Sequence, residues 1–199
     1  MPWDWNTAEL SAASRRLGSH APLARADAAD LPIAARSLGA VLCHYALMLL
    51  QPLEEELAEL ARILRPGGLL AAVLPRASPD ESPNPIAVFR AAWKQVSESH
   101  PVTIPPIEDE RVFLAEGLRE LLVNAGFTSL VVQSISVSKP MPVDELTELF
   151  LLTYTPDLLP AAGVADLTRI LGIELDRLKD ATGKVVFVGY ADLVTARRG

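Results

Sequence analysis

The sequence predicts an α/β protein built on a mainly parallel sheet. Three observations point there. Short apolar runs alternate with helix-period segments through the first half of the 199 residues. The clearest of those helices is acidic at its start and basic at its end, matching the helix dipole. The runs between helices are apolar throughout, as strands buried on both faces are.

The elements follow in order. Trp3-Asp4-Trp5 is a short segment carrying an aspartate one step before a helix, a placement typical of the mouth of an α/β sheet. Asn6 is positioned to cap that helix with Glu9 three residues on; Leu10, Ala13 and Leu17 form its inner face, and Gly18 stops it. Leu23–Ala26 reads as a strand ending at Asp27, and Ala40–Cys43 as a second, fully buried one. From Pro52 to Leu64, the residues Leu53, Leu57, Leu60, Ala61 and Leu64 share one helical face; Glu54, Glu55 and Glu56 sit in the first turn and Arg62 and Arg65 in the last. Arg65-Pro66-Gly67-Gly68 breaks this helix and turns the chain into a strand over Leu69–Leu74.

The stretch Pro75–Pro85 holds four prolines and reads as a loop, followed by an amphipathic helix over Ile86–Ser97 with Phe89, Trp93 and Val96 on one side. A second proline-rich loop, Pro101–Pro106, leads to a helix over Phe113–Asn124 that ends at Gly126. Leu130–Val137 is β-branched and strand-like; helices over Val143–Thr153 and Val164–Thr182 and a last strand, Lys184–Ala196, complete the chain.

Composition narrows the function. A formal charge of −7, with no basic stripe, argues against nucleic acid or an anionic membrane as the main partner. The single cysteine, Cys43, excludes an intrachain disulfide and a cysteine-built metal site; the three histidines (His20, His44, His100) lack ligand spacing, so no metal is expected. No apolar run reaches membrane-span length and no signal-peptide pattern opens the chain, so a cytoplasmic protein is expected.

The run ADAADLPIAARSLGAVLCHYALMLLQPLEEELAELARILRPGGLLAAVLP resembles the class I S-adenosylmethionine-dependent methyltransferases. There an Asp-x-x-x-Leu-Pro segment follows the third strand, a buried fourth strand comes next, and a helix ending in Arg-x-Leu-(Arg/Lys)-Pro-Gly-Gly leads to the fifth. The corresponding pieces are Asp27–Pro32, Ala40–Cys43 and Arg62–Gly68. LRELLVNAGF and GKVVFVGYADLVTARR resemble the penultimate helix with its turn and the final strand. The resemblance spans nearly the whole chain and implies a Rossmann-like, doubly wound sheet with an antiparallel last strand. It implies one domain over residues 1–199, with 76–111 as a lid over the substrate.

It further implies S-adenosylmethionine as cofactor. Asp4, with Trp5 beside it, stands where an acidic residue holds the ribose hydroxyls, a task suited to a carboxylate's acceptor pairs. Asp27 and the Ala28 N–H stand at the adenine site, and Cys43, His44 and Tyr45 face the sulfonium centre. Within residues 76–111 and just beyond, Trp93, His100 and Phe113 are the candidate substrate contacts. Each has a plainer reading. Asp4 is equally suited to a helix N-terminus, Asp27 to a turn, and Cys43 to a small buried hydrophobe. His44 and Tyr45, the only catalytic candidates, are also suited to packing, as is Trp93.

Two departures from the family pattern stand out. The first strand and its Gly-x-Gly-x-Gly turn belong roughly twenty residues before Asp4 and are not in this sequence; the expectation is an N-terminally truncated sheet whose open edges favour a homodimer. Gly39 also stands where the family has aspartate. The leading expectation is methyl transfer to a small molecule. The alternative is a non-catalytic protein that keeps the fold as a binding or dimerisation module. A Rossmann dehydrogenase would need the same glycine fingerprint and ranks third.

Overall fold

The computed structural model describes residues 3–4, 7–18, 23–77, 84–103, 109–153 and 156–199, with side chains from Leu10 onward. The chain forms two compact units, one from Met1–Pro75, Ile107–Gln133 and Asp192–Gly199, the other from Arg76–Pro106 and Ser134–Ala191.

In the first unit, β1 (Trp3–Asp4) and β2 (Ala24–Arg25) pair in parallel, joined by α1 (Thr7–Leu17). Helix α1 half-buries Leu10, Ala13 and Leu17, and ends where Gly18, at φ +54°, donates to Ser14 O. Asn6 and Trp5 lie outside the described residues, so the expected cap does too. A second sheet has the order β3-β4-β6-β5: Leu38–His44, Leu64–Pro75, Val185–Arg198 and Phe127–Met141. β3 and β4 are parallel, Ala40 opposite Leu69 and His44 opposite Val73. β6 runs against β4: Arg197 Nη1 donates to Gly67 O near one end and the Arg76 N–H to Tyr190 O near the other. The antiparallel last strand is therefore present.

Between β3 and β4, α2 (Leu53–Ile63) lays Leu53, Leu57, Leu60, Ala61 and Ile63 into the core. They meet Val41, Cys43, Leu70, Ala72 and Leu74 from the strands, and Leu118, Leu121 and Leu122 from α4 (Ala115–Asn124). Each large side chain so buried contributes about 1.5–3 kcal/mol. Arg198 closes this unit: its guanidinium donates to Ala61 O, a carbonyl in the last turn of α2, and to Gly126 O after α4.

Two expectations change here. Arg65-Pro66-Gly67-Gly68 is not a turn ahead of β4 but a bulge within it. The ladder passes from Leu38–Leu64 to Ala40–Leu69, so β4 loops out extra residues, with Gly67 at φ +75°. And β3, despite its unbroken apolarity, is buried on one face only: Val41 and Cys43 point inward while Leu42 is 69% exposed.

In the second unit, α3 (Pro85–Ser99), α5 (Val143–Leu151) and α6 (Ala161–Asp176) bury Val96, Leu146, Phe150, Leu167 and Leu171 with Met141 and Val185 of the strands. Asn84 caps α3 by accepting the Ala87 N–H, and Pro85 starts it. Helix α6 stops short of the expected Thr182. The Asp180 Oδ1 takes the N–H groups of Thr182 and Lys184, forming a turn that Gly183, at φ +75°, completes.

Candidate functional site

β2 ends two residues before Asp27, whose Oδ1 accepts the Ala29 N–H at 3.0 Å while its own carbonyl accepts the Asp30 N–H at 3.2 Å. The tight turn holds Ala28 at its corner. Behind it, Leu31-Pro32-Ile33 is tied to α2. Glu59 Oε1 accepts the Leu31 N–H at 2.8 Å, and Arg62, bonded to Glu59, donates to Leu31 O and Ile33 O. Arg62 holds the Glu59 carboxyl below its ordinary range, so the clamp is charged at neutral pH. The Leu-Pro segment is thus held by main-chain bonds, which fixes where Asp27 stands.

β3 delivers Cys43, His44 and Tyr45. Tyr45 takes φ +51° while its N–H donates to Val73 O at 3.0 Å, and its ring meets that of His44 edge-on at 4.8 Å. His44 and Tyr45 are exposed and Cys43 is buried. Burial, with the negative charge of Glu56 second, pushes the Cys43 thiol up to about 11, so it is no nucleophile at neutral pH.

Glu56 is the residue that sequence reading passed over. Counted among the acidic groups of the α2 first turn, it is only 5% exposed. Its Oε1 accepts the Gln51 N–H at 3.2 Å, and its Oε2 is buried without a hydrogen bond. Burial raises its carboxyl to about 7, the Gln51 bond pulling down and the charge of Asp27 adding to the rise. Glu56 therefore lies within electrostatic reach of both Asp27 and Cys43, and the three gather where β2 and β3 end. The signal was available: residues 53, 56, 57 and 60 share the i, i+3, i+4, i+7 face that points inward.

The remaining candidates are dispersed. Asp4 pairs through its backbone with Arg25, its side chain lying outside the description, and Trp5 lies outside it altogether. Phe113, 42% exposed in the first unit, ends a 3-10 turn (Glu110–Phe113). That turn is anchored by Arg111 to Asp109 and Glu54 and by the Asp109 N–H to Met48 O. In the second unit, Trp93 packs half-buried on the helical core. His100 caps α3 and meets Asp166 of α6 at 3.1 Å. Among the described residues, no group of three or more His, Cys, Asp or Glu side chains is placed to hold a metal, and no helix is long and apolar enough to cross a membrane.

Residues 3–72 match the methyltransferase domain family. No curated protein matches the chain. A candidate methyltransferase from Bacillus halodurans superposes with a TM-score of 0.55 at 17% identity, over 98% of this chain and 81% of that one. The [4+2]-cyclase SpnF does so with 0.53 at 19%, over 98% and 65%. Phosphoethanolamine N-methyltransferase 2 of Haemonchus contortus, solved with phosphomonomethylethanolamine and S-adenosylhomocysteine, gives 0.52 at 14%, over 98% and 42%. The chain has the fold of the class I S-adenosylmethionine-dependent methyltransferases, and residues 3–72 carry their domain signature, as the resemblance implied.

Proposed function

We propose that this protein transfers a methyl group from S-adenosylmethionine to a small-molecule acceptor. The family match across residues 3–72 carries the reading, because that stretch contains Asp4, Asp27 and the β3 end. The residues at the strand ends suit the cofactor. Asp27 has Oδ2 free to accept a donor, and Glu56 keeps a buried oxygen with no partner beside Asp27 and Cys43. S-adenosylmethionine brings amino donors and a positive sulfonium, both of which such carboxyls favour.

When bound, the cofactor supplies an electrophilic methyl group. The chain's own work is positioning. Asp4 and Trp5 take the ribose side; Asp27 and the Ala28 N–H take the adenine; Cys43 gives the sulfonium region an uncharged wall. His44 and Tyr45, exposed at the end of β3, are the candidates to act on an acceptor proton. In-line displacement gains most of its acceleration from alignment, so no catalytic triad or metal is required. Phe113, in the same unit, belongs to the acceptor side in this reading. A small metabolite in the cytoplasm, rather than nucleic acid or membrane, suits the acidic chain.

A second reading, a non-catalytic binding or dimerisation module, draws on one observation: among the described residues β3 ends the larger sheet, with Leu42 exposed. Titration calorimetry with S-adenosylhomocysteine separates the two. Micromolar binding, weakened at least about tenfold by Asp27→Ala, is expected of the enzyme, a factor worth about 1.4 kcal/mol. Silence from the folded chain would overturn the enzyme reading.

A further inference from the structure

Between β2 and β3, residues 26–37 make no strand pairing beyond the Asp27–Asp30 bridge, and the last turns of α2 hold them instead. Glu59 Oε1 accepts the Leu31 N–H at 2.8 Å, and Arg62 Nη2 donates to Leu31 O at 3.2 Å and to Ile33 O at 2.8 Å. The carbonyls of Arg62 and Ile63 accept the N–H groups of Arg36 and Ser37. Pro32, between the two gripped residues, has no N–H to add.

An exposed i, i+3 ion pair on a helix contributes little. Glu59–Arg62 is not of that kind. Glu59 is only 8% exposed, and its two oxygens are taken up by the Leu31 N–H and the Arg62 fork. Removing this carboxylate leaves a buried N–H unpaired and frees the guanidinium from its anchor. Leu31 directly follows Asp30, whose N–H closes the turn onto Asp27 O, while the Ala29 N–H bonds Asp27 Oδ1. A shift of Leu31 therefore passes through bonded neighbours into the turn that carries Asp27 and Ala28.

We propose that Glu59 is a positioning residue for the cofactor site, acting through Leu31 to set the Asp27 carboxylate and the Ala28 N–H for adenine. The identity of the ligand rests on the methyltransferase reading; the link from Glu59 to the turn does not. The competing account is a clamp that stabilises the fold as a whole and leaves the turn indifferent.

Two measurements separate these accounts. Amide exchange of the free chain, followed by NMR, reads the turn. Glu59→Ala should speed exchange at Ala29 and Asp30 by about tenfold or more, with Tyr45, bonded to Val73 O in the larger sheet, unchanged. Glu59→Gln keeps an acceptor for the Leu31 N–H and should restore most of the protection. Calorimetric titration with S-adenosylhomocysteine reads the site. Glu59→Ala should weaken binding by about tenfold in the native background. When Asp27 is already alanine the loss should be under about twofold, because both changes act on the same contact. Unchanged exchange at Ala29 and Asp30, or acceleration shared equally by Tyr45, would overturn the positioning role, as would additive losses in the double variant. A wild-type chain silent toward S-adenosylhomocysteine, with Ala29 and Asp30 loosened by Glu59→Ala, would count against the methyltransferase reading and for the link.

Discussion

Glu56 shows how one buried carboxyl writes itself into the behaviour of the chain. Its folded-state value of about 7, against 4.5 for an ordinary glutamate, means that between those values the native protein holds a proton that the unfolded chain has released. Stability therefore falls as pH rises through that window and levels off above it, by up to about 3 kcal/mol. Glu56→Gln keeps the shape and the acceptor for the Gln51 N–H but cannot ionise. Urea melts at pH 5, 6, 7 and 8 should show the wild type losing stability across this range and the variant staying flat, with the variant the more stable at pH 8. Parallel slopes would refute the assignment. Sequence alone made Glu56 one of three first-turn acids because dipole logic treats them alike; only the packing of Leu53 and Leu57 beside it turns it inward.

Elements were legible wherever the hydrophobic period was strong. Helices α2 and α3 and the β3–β4 pair were readable because their apolar residues repeat at the right spacing, and the core is made of those residues. What was not legible is local backbone chemistry. Arg65-Pro66-Gly67-Gly68 has the composition of a turn, yet the parallel pairing with β3 continues across it. This makes the two glycines unequal. At Gly67, φ is +75° but a Cβ would meet nothing within 4 Å, so Gly67→Ala should cost about 1 kcal/mol of backbone strain. At Gly68 a Cβ would lie 2.8 Å from Arg65 O and 3.0 Å from Leu64 Cδ2, both held in the sheet and core. Gly68→Ala should cost more, about 1–3 kcal/mol, because backbone must shift. Denaturant melts of the two variants would show the order; Gly67→Ala as the more damaging would mean that the bulge is not built this way. Of the candidate site, the Asp27 turn and the β3 end were readable from motif spacing. The residue that links them electrically was legible only in the helical period, as the position that shares the inward face with Leu53, Leu57 and Leu60.

For the whole molecule, the consequential feature is where the larger sheet stops. Among the described residues β3 is its outer strand, with no partner beyond it. Natural edges are guarded by lysine, proline or a bulge. This one reads Leu-Gly-Ala-Val-Leu-Cys-His, and its only register shift lies at the Leu38 end. Because the Tyr45 N–H donates to Val73 on β4, alternation turns the N–H groups of Leu42 and His44 the other way, toward the open edge. An unguarded edge of this length, with Leu42 standing out beside it, favours pairing with the same edge of a second copy, since a two-fold axis lets one surface complement itself. Sedimentation equilibrium should then find a concentration-dependent dimer, and Leu42→Lys should shift it to monomer while leaving the core intact, because the leucine contributes little to it. A monomer at all concentrations, or a dimer indifferent to Leu42→Lys, would place any self-association elsewhere on the chain.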